Sequence, residues 1–397
     1  MRIVHISDCF APRLGGIENQ VQDLGIRQAR AGHAVHVLTA TAQDRAAVPP
    51  GRSRHRFSST EDGGLRVHRL ATPATFGVPV HPRGRALITR ALRLLKPDVV
   101  HVHAGVVSPF AYDGARAARD VGLPLAITWH CVLSGARHLL GWGARATWWD
   151  TAAFAPSAVS ALVVGQVAQA LGRSDVQVVP NGLDLAPWRG VAARPEPGAE
   201  PGVLRVVASQ RMASRKRTVP LVRVIAQVHE RLGRTERGTP RIHLTVAGDG
   251  PGMAAVRSRI AAAELDDVIT LLGRVPRDLL PTLYRAQDVF VSPTSLEAFG
   301  LAALEARAAG LAVVGMRDSG IGEFITDGVE GLLARGDAGI ADALVRLARE
   351  PGLLRTITIN NRAEPPALGW PDVMERVDGL YQRARALPRS TETGRRR

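Results

Sequence analysis

Two glutamates, Glu297 and Glu305, stand eight residues apart around Ala298-Phe299-Gly300-Leu301. Eight helical residues rise about 12 Å. That spacing suits two carboxylates on two separate hydroxyl groups of one extended ligand, such as a sugar and a ribose. Between them, the N–H groups of Phe299, Gly300 and Leu301 would lie at a helix start, where unpaired backbone donors and the helix dipole favour phosphate. Arg211 and Lys216 could neutralise a diphosphate leaving group without a metal. All but two of the 51 basic residues are arginine, the exceptions being Lys96 and Lys216, so a lysine here suggests a need for a compact point charge. No Asp-x-Asp pair occurs, so the usual carboxylate pair of a metal-bridged diphosphate is missing, and no metal or other cofactor is expected.

Other segments carry weaker signals. Gly15-Gly16 could let the backbone approach an anion or could form an ordinary tight turn. Gly248-Asp249-Gly250 could wall a nucleotide or simply turn the chain, and Arg274-Val275 could meet a base through backbone contacts. His130 follows an apolar strand and could hydrogen-bond a substrate hydroxyl or the reaction centre, or be a structural histidine. His101 and His103 can share one strand face, but no third ligand accompanies them, so they read as packing residues rather than a metal pair.

These residues need elements to position them. Apolar runs predict strands at 2–7, 34–39, 65–70, 99–102, 125–128, 161–164 and 176–179, with helices at 18–31, 83–95 and 109–121 between some of them. Residues 41–63 read as a polar loop bearing Arg52, Arg54 and Arg56. A stretch rich in proline and glycine at 187–202 marks a boundary. A second series follows, with strands at 203–208, 242–247, 268–271, 289–292 and 311–315. Helices are expected at 218–232, 252–263, 277–285, 300–309 and 338–349. A last helix spans 372–386, and residues 389–397 read as a disordered tail. Strands alternating with helices imply parallel sheets. In such sheets the ligand-binding motifs fall at the carboxyl ends of the strands. The expected fold class is α/β, as two doubly wound Rossmann-like domains facing a cleft, residues 1–186 (with 371–388 returning to them) and 187–370.

The 397 residues carry a formal net charge of +15, which favours anionic partners. No nucleic-acid-binding motif is present and aromatic residues make up 4%, so stacking on bases is not supported. No apolar run is long enough to span a membrane and the N-terminus does not read as a signal peptide. Two cysteines, Cys9 and Cys131, allow one disulfide, though reduced thiols in a cytoplasmic protein are simpler. Arg83, Arg85, Arg90 and Arg93 lie on a helix with Leu87, Leu92 and Leu94. That helix reads equally as a solvated face or as a peripheral contact with an anionic membrane surface.

Taken in order, these segments resemble glycosyltransferase family 4, of the GT-B fold. The resemblance rests on Gly15-Gly16, Asp98-Val99-Val100-His101-Val102-His103, Pro180-Asn181-Gly182-Leu183-Asp184, Arg211 with Lys216, Gly248-Asp249-Gly250-Pro251, Ser295 through Glu305-Ala306, Ala309-Gly310 and Gly320 through Leu332. It implies retaining transfer of a hexosyl unit from a nucleoside diphosphate sugar to a hydroxyl acceptor. Arg211 and Lys216 would bind the diphosphate, Glu305 the ribose, and Glu297 with the following amides the sugar. Gly16 would approach the phosphate and His130 the sugar, while helix 372–386 would cross back to the first domain. In related enzymes with lipid acceptors, the basic helix meets the membrane. Two positions depart from the pattern. Arg217 stands where the family usually has glycine, and residues 351–369 match the usual helical approach poorly. A non-catalytic nucleotide-sugar binder, or a GT-B epimerase or phosphorylase, are the competing readings.

Overall fold

The structure is a computed structural model and describes residues 1–13, 15–42, 56–71, 82–133, 135, 141, 152–189 and 202–388. The chain forms two compact units, Met1–Gly182 with Trp370–Arg397, and Leu183–Gly369. Arg52, Arg54, most of the proline-rich boundary and the 389–397 tail lie outside the described residues.

In the first unit, strands β1 (Arg2–Ser7), β2 (Ala34–Thr39), β3 (Arg56–Asp62), β4 (Leu65–Ala71), β5 (Val99–Ala104), β6 (Leu125–Trp129), β7 (Ala155–Ala158) and β8 (Gln177–Val178) form one sheet. Its order is β3-β4-β2-β1-β5-β6-β7-β8, and every pairing is parallel except that of β3 with β4. The direction of winding reverses between β1 and β5, and crevices for ligands form at the carboxyl ends of strands at such a point. Helices α1 (Gly16–Arg30), α2 (Gly84–Leu95), α3 (Pro109–Val121) and α4 (Ala161–Leu171) connect the strands. Two sequence expectations fail here. Residues 56–62 are an antiparallel strand rather than loop, and 161–164 open a helix rather than form a strand. Ser160 caps that helix by accepting from Val163 N at 3.3 Å, and Gly172 ends it at φ 66°.

The second unit holds β9 (Leu204–Ser209), β10 (Ile242–Ala247), β11 (Ile269–Gly273), β12 (Val289–Ser292), β13 (Ala312–Met316) and β14 (Gly331–Ala334). The order is β11-β10-β9-β12-β13-β14, all parallel, with the reversal between β9 and β12. Its helices are α5 (Thr218–Leu232), α6 (Met253–Ala261), α7 (Leu280–Arg285), α8 (Leu301–Ala308), α9 (Gly336–Arg349) and α10 (Pro351–Ala363). A continuous apolar core joins β9, β10, β12 and β13 to α5 and α9. Despite the poor family match of 351–369, helix α10 covers residues 351–363 of that segment. Pro351 sits in its first turn, where a missing N–H costs nothing.

The chain then returns to the first unit as α11 (Trp370–Ala386). Trp370, Val373, Val377, Leu380 and Tyr381 pack on Ile3, Val99, Ala126 and Ala155, sealing the strands β1, β5, β6 and β7. Gly182 lies under the Trp370 ring, where an added Cβ would come within 2.6 Å of it. Cys9 and Cys131 are not joined in a disulfide, and no described helix is long and apolar enough to cross a membrane.

Candidate functional site

In the second unit, the singled-out residues all follow strand carboxyl ends. Lys216 closes a short 3-10 turn after β9, and Glu297 lies in the loop after β12. Their side chains meet across the β9/β12 reversal, with Lys216 Nζ 2.6 Å from Glu297 Oε2. The two are 25% and 18% exposed, so the pair is partly shielded yet reachable. Thr294 Oγ1 also donates to the Lys216 carbonyl at 3.3 Å, tying the two loops together. Arg211 is exposed and enters no ion pair among the described residues.

Arg217 follows in the left-handed region at φ 56°, which explains why glycine suits this position. An L-residue there costs about 1–2 kcal/mol. Here the guanidinium spans both oxygens of Asp337 at 2.7 and 2.9 Å, a half-buried pair that offsets part of that cost. The departure from the family pattern therefore changes the side chain and keeps the turn.

The β12 loop is built around close backbone contacts. Gly320 N donates to Glu297 O at 2.8 Å, and a Cβ on Gly320 would lie 2.1 Å from the Ala298 carbonyl oxygen. Gly300 caps α8 at φ 96°, and no side chain caps that helix start. Its first amides, Leu301 onward, therefore lack an intrahelical partner and suit an anion. Phe299 is buried against Phe324, which anchors the loop. Glu305 is 6% exposed on α8. It lies near enough to buried Tyr284 that its charge adds to burial in pushing the phenol well above its ordinary range.

The turn 248–252 packs against the backbone of the loop bearing Arg211. Gly248 N donates to Gly273 O at 2.7 Å, while Met212 N donates to Asp249 O at 3.0 Å and Gly252 N to Met212 O at 2.8 Å. Arg274 is exposed and Val275 half-buried just beyond β11.

In the first unit, Gly15 is the extended N-cap of α1, again with no side-chain cap. A Cβ on Gly16 would meet nothing within 4 Å, so nothing inside the fold requires glycine at that position. On α2, Ile88 and Leu92 are buried and Leu94 is 73% exposed. Arg85 is engaged with Asp120, while Arg90 and Arg93 are exposed and Arg83 occupies the N-cap position.

His130, at the end of β6, heads a buried polar chain. Its Nε2 lies 3.1 Å from His103 Nδ1, and His103 Nε2 lies 2.9 Å from His5 Nδ1. His5 Nε2 is 2.7 Å from Gln28 Oε1, and Gln28 Nε2 donates to Tyr381 Oη at 3.1 Å. Tyr381 Oη is 2.9 Å from His101 Nδ1, and His101 Nε2 is 2.7 Å from Thr128 Oγ1. Thr128 Oγ1 is 2.7 Å from Ser157 Oγ, which donates to Ile127 O at 3.2 Å. Burial pushes His5 and His130 down to about 4 and His101 and His103 well below the ordinary histidine range, so the rings are neutral near pH 7. The Asn181 side chain approaches His130 and works the other way, without reaching hydrogen-bond geometry at Nδ1.

Sequence reasoning paired only His101 and His103. Strand pairing brings His5 beside them, and one nitrogen of each of the three rings falls within 4.8 Å of the others. All their ring nitrogens are already hydrogen-bonded, so the trio does not fit a metal as arranged. Asp8 carried no signal in the sequence. It ends the β1 segment, accepts from Phe110 N at the start of α3 at 3.0 Å, and is raised by burial to about 6.

Residues 14–187 match the family model described as Glycosyltransferase Family 4, and residues 192–364 match that of Glycosyl transferases group 1. A glycogen synthase of Mycobacterium tuberculosis is 30% identical over 88% of this chain and 87% of its own length. A D-inositol 3-phosphate glycosyltransferase of Pseudarthrobacter chlorophenolicus is 30% identical over 85% of this chain and 83% of its own. Among solved structures, Anabaena Alr3699/HepE in complex with UDP superposes with a TM-score of 0.73 at 17% identity, covering 96% of this chain and all of that one (100%).

Proposed function

This chain belongs to glycosyltransferase family 4, with the GT-B fold, and we propose that it transfers a hexosyl unit from a nucleoside diphosphate sugar to a hydroxyl acceptor with retention of configuration. The observation that carries this reading is the Lys216–Glu297 pair beside the uncapped start of α8. A cation, a carboxylate and free helix-start amides close together support that reading.

In the proposed reaction, the bond from the anomeric carbon to the diphosphate oxygen breaks and a bond to the acceptor oxygen forms on the same face. The acceptor proton passes to the departing phosphate oxygen. Lys216 and Arg211 stabilise the charge growing on that leaving group, with no metal needed. The Leu301 amide and its neighbours add helix-start donors. Glu297 holds a sugar hydroxyl and Glu305 the ribose. Gly248, Gly250, Arg274 and Val275 border the nucleoside. By the family resemblance, Gly16 would serve the phosphate and His130 the sugar, a role for Gly16 that agrees with the absence of any internal need for glycine there.

The donor is GDP-mannose or a UDP-linked hexose or N-acetylhexosamine, the latter in keeping with the UDP held by the Anabaena neighbour. The acceptor is a lipid or an envelope glycan precursor. The exposed Arg90, Arg93 and Leu94 on α2 suit an acceptor presented at an anionic membrane surface.

A panel of UDP-, GDP- and ADP-sugars, read first by thermal shift and then by product analysis, tests this. One donor class should raise Tm in proportion to the logarithm of its concentration, by mass action on the folded state. Its sugar should appear on an acceptor with unchanged anomeric configuration. Inversion, epimerised donor or phosphorolysis would each overturn the reading.

A further inference from the structure

The buried chain from Ile127 to His130 has a direction. A carbonyl oxygen only accepts, so Ser157 must spend its proton on Ile127 O. Ser157 can then only accept from Thr128, and Thr128 can only accept from His101 Nε2–H. A neutral His101 therefore has a bare Nδ1, which receives the Tyr381 hydroxyl proton. Tyr381 oxygen in turn accepts from the Gln28 amide, which fixes the Gln28 carbonyl oxygen toward His5 Nε2–H. His5 Nδ1 then accepts from His103 Nε2–H, and His103 Nδ1 from His130 Nε2–H. Only this arrangement of protons makes every hydrogen bond in the chain while leaving all four rings neutral.

Its far end is His130 Nδ1, a buried atom with no hydrogen-bond partner. We infer that Tyr381, Gln28, His5 and His103 are positioning residues that lock His130 in the Nε2–H tautomer and present its Nδ1 as a hydrogen-bond acceptor for a ligand hydroxyl. The inference rests on the sugar-side role of His130 given above. A ring in the other tautomer would offer Nδ1–H and would favour an anion or carbonyl instead. The polarity is set by groups in β6, β7, α1 and α11, so Tyr381 of the last helix acts on His130 through Gln28, His5 and His103. Nδ1 is also the one nitrogen of the four rings that no hydrogen bond already occupies.

The test uses the full chain labelled with 15N-histidine, read by long-range 1H–15N correlation, with His130→Gln to assign the His130 signals. His5, His101, His103 and His130 should all show the Nε2–H pattern. An Nδ1–H pattern at His130 or His103 would overturn the assignment. Tyr381→Phe removes the atom that both accepts from Gln28 and donates to His101, which frees the amide to turn over and the histidines beyond it to reverse. In that variant His130 should show both tautomers, and donor KM should rise at least about fivefold, the scale of one lost hydrogen bond. A Tyr381→Phe enzyme with reversed tautomers and unchanged kcat and KM would sink the positioning role. If that variant does not fold, the wild-type tautomers still decide the lock. Should the wild type show the Nε2–H pattern yet transfer no sugar, the lock stands and the proposed reaction falls.

Discussion

Lys216→Ala should lower kcat by about 10²–10³-fold with the donor identified by thermal shift, while leaving Tm within a few degrees of wild type. The magnitude is that of removing one preorganised group from the stabilisation of developing charge. The structural cost is small because Lys216 is 25% exposed and its partner Glu297 can rehydrate in place. Lys216→Arg should recover little. Its planar, longer head group cannot occupy the position of an ammonium held 2.6 Å from Glu297 Oε2 without pushing that carboxylate away. Glu297→Ala should be similarly damaging, but through the sugar: it removes a hydroxyl partner and leaves the Lys216 charge unopposed. Initial rates with radiolabelled donor, checked against thermal denaturation, separate lost chemistry from lost fold. Normal transfer by both alanine variants would mean that the site lies elsewhere.

These predictions draw on residues readable in the sequence, because the functional groups follow strands whose apolar runs are unmistakable. Lys216 and Glu297 are 81 residues apart, yet both follow central parallel strands, and topology alone sends both to one sheet edge. What escaped were elements whose residues do not resemble their class. Strand β7 is Ala-Pro-Ser-Ala, which carries no β-branched residue, so the apolar run after it reads as the strand instead. Ser160 just before that run is the available sign of a helix start. Strand β3 is polar and pairs with β4 alone at the edge of the sheet, so it lacks the apolar run of the central strands. The Gly63-Gly64 pair after it, at φ 56° and 87°, is the hairpin signal. The histidine chain is illegible in the sequence for another reason. His5, Gln28, His101 and Tyr381 come from four distant segments, and only the packing of α1 and α11 on β1 and β5 brings them into hydrogen-bonding range.

Glycines that look alike in sequence divide sharply by what surrounds them, and Gly248→Ala against Gly16→Ala should expose the difference. Gly248 sits at φ 144°, outside the range of L side chains, and its added Cβ would lie 1.9 Å from the Gln210 carbonyl oxygen. That neighbour is backbone, and it is held in turn because Gln210 N donates to Ala247 O at 3.0 Å. The overlap is relieved only by moving the β9 loop, which carries Arg211 and Lys216. Strain of this kind costs about 3 kcal/mol or more. For a unit of this size that is a loss of about 6–12 °C in Tm. Transfer should fall with it, since the leaving-group cations shift away from the start of α8. Gly16→Ala meets no atom within 4 Å and should leave Tm unchanged to within about 1 °C. If the Gly16 backbone serves the donor phosphate, that variant should still raise donor KM about tenfold or more, because a methyl group then stands where phosphate oxygens approach. Steady-state donor KM beside calorimetric Tm distinguishes the two cases: a stable Gly16→Ala enzyme with wild-type KM would remove the first unit's helix start from the donor site, and a Gly248→Ala enzyme with wild-type Tm would show that the β9 loop yields more easily than its backbone contacts imply.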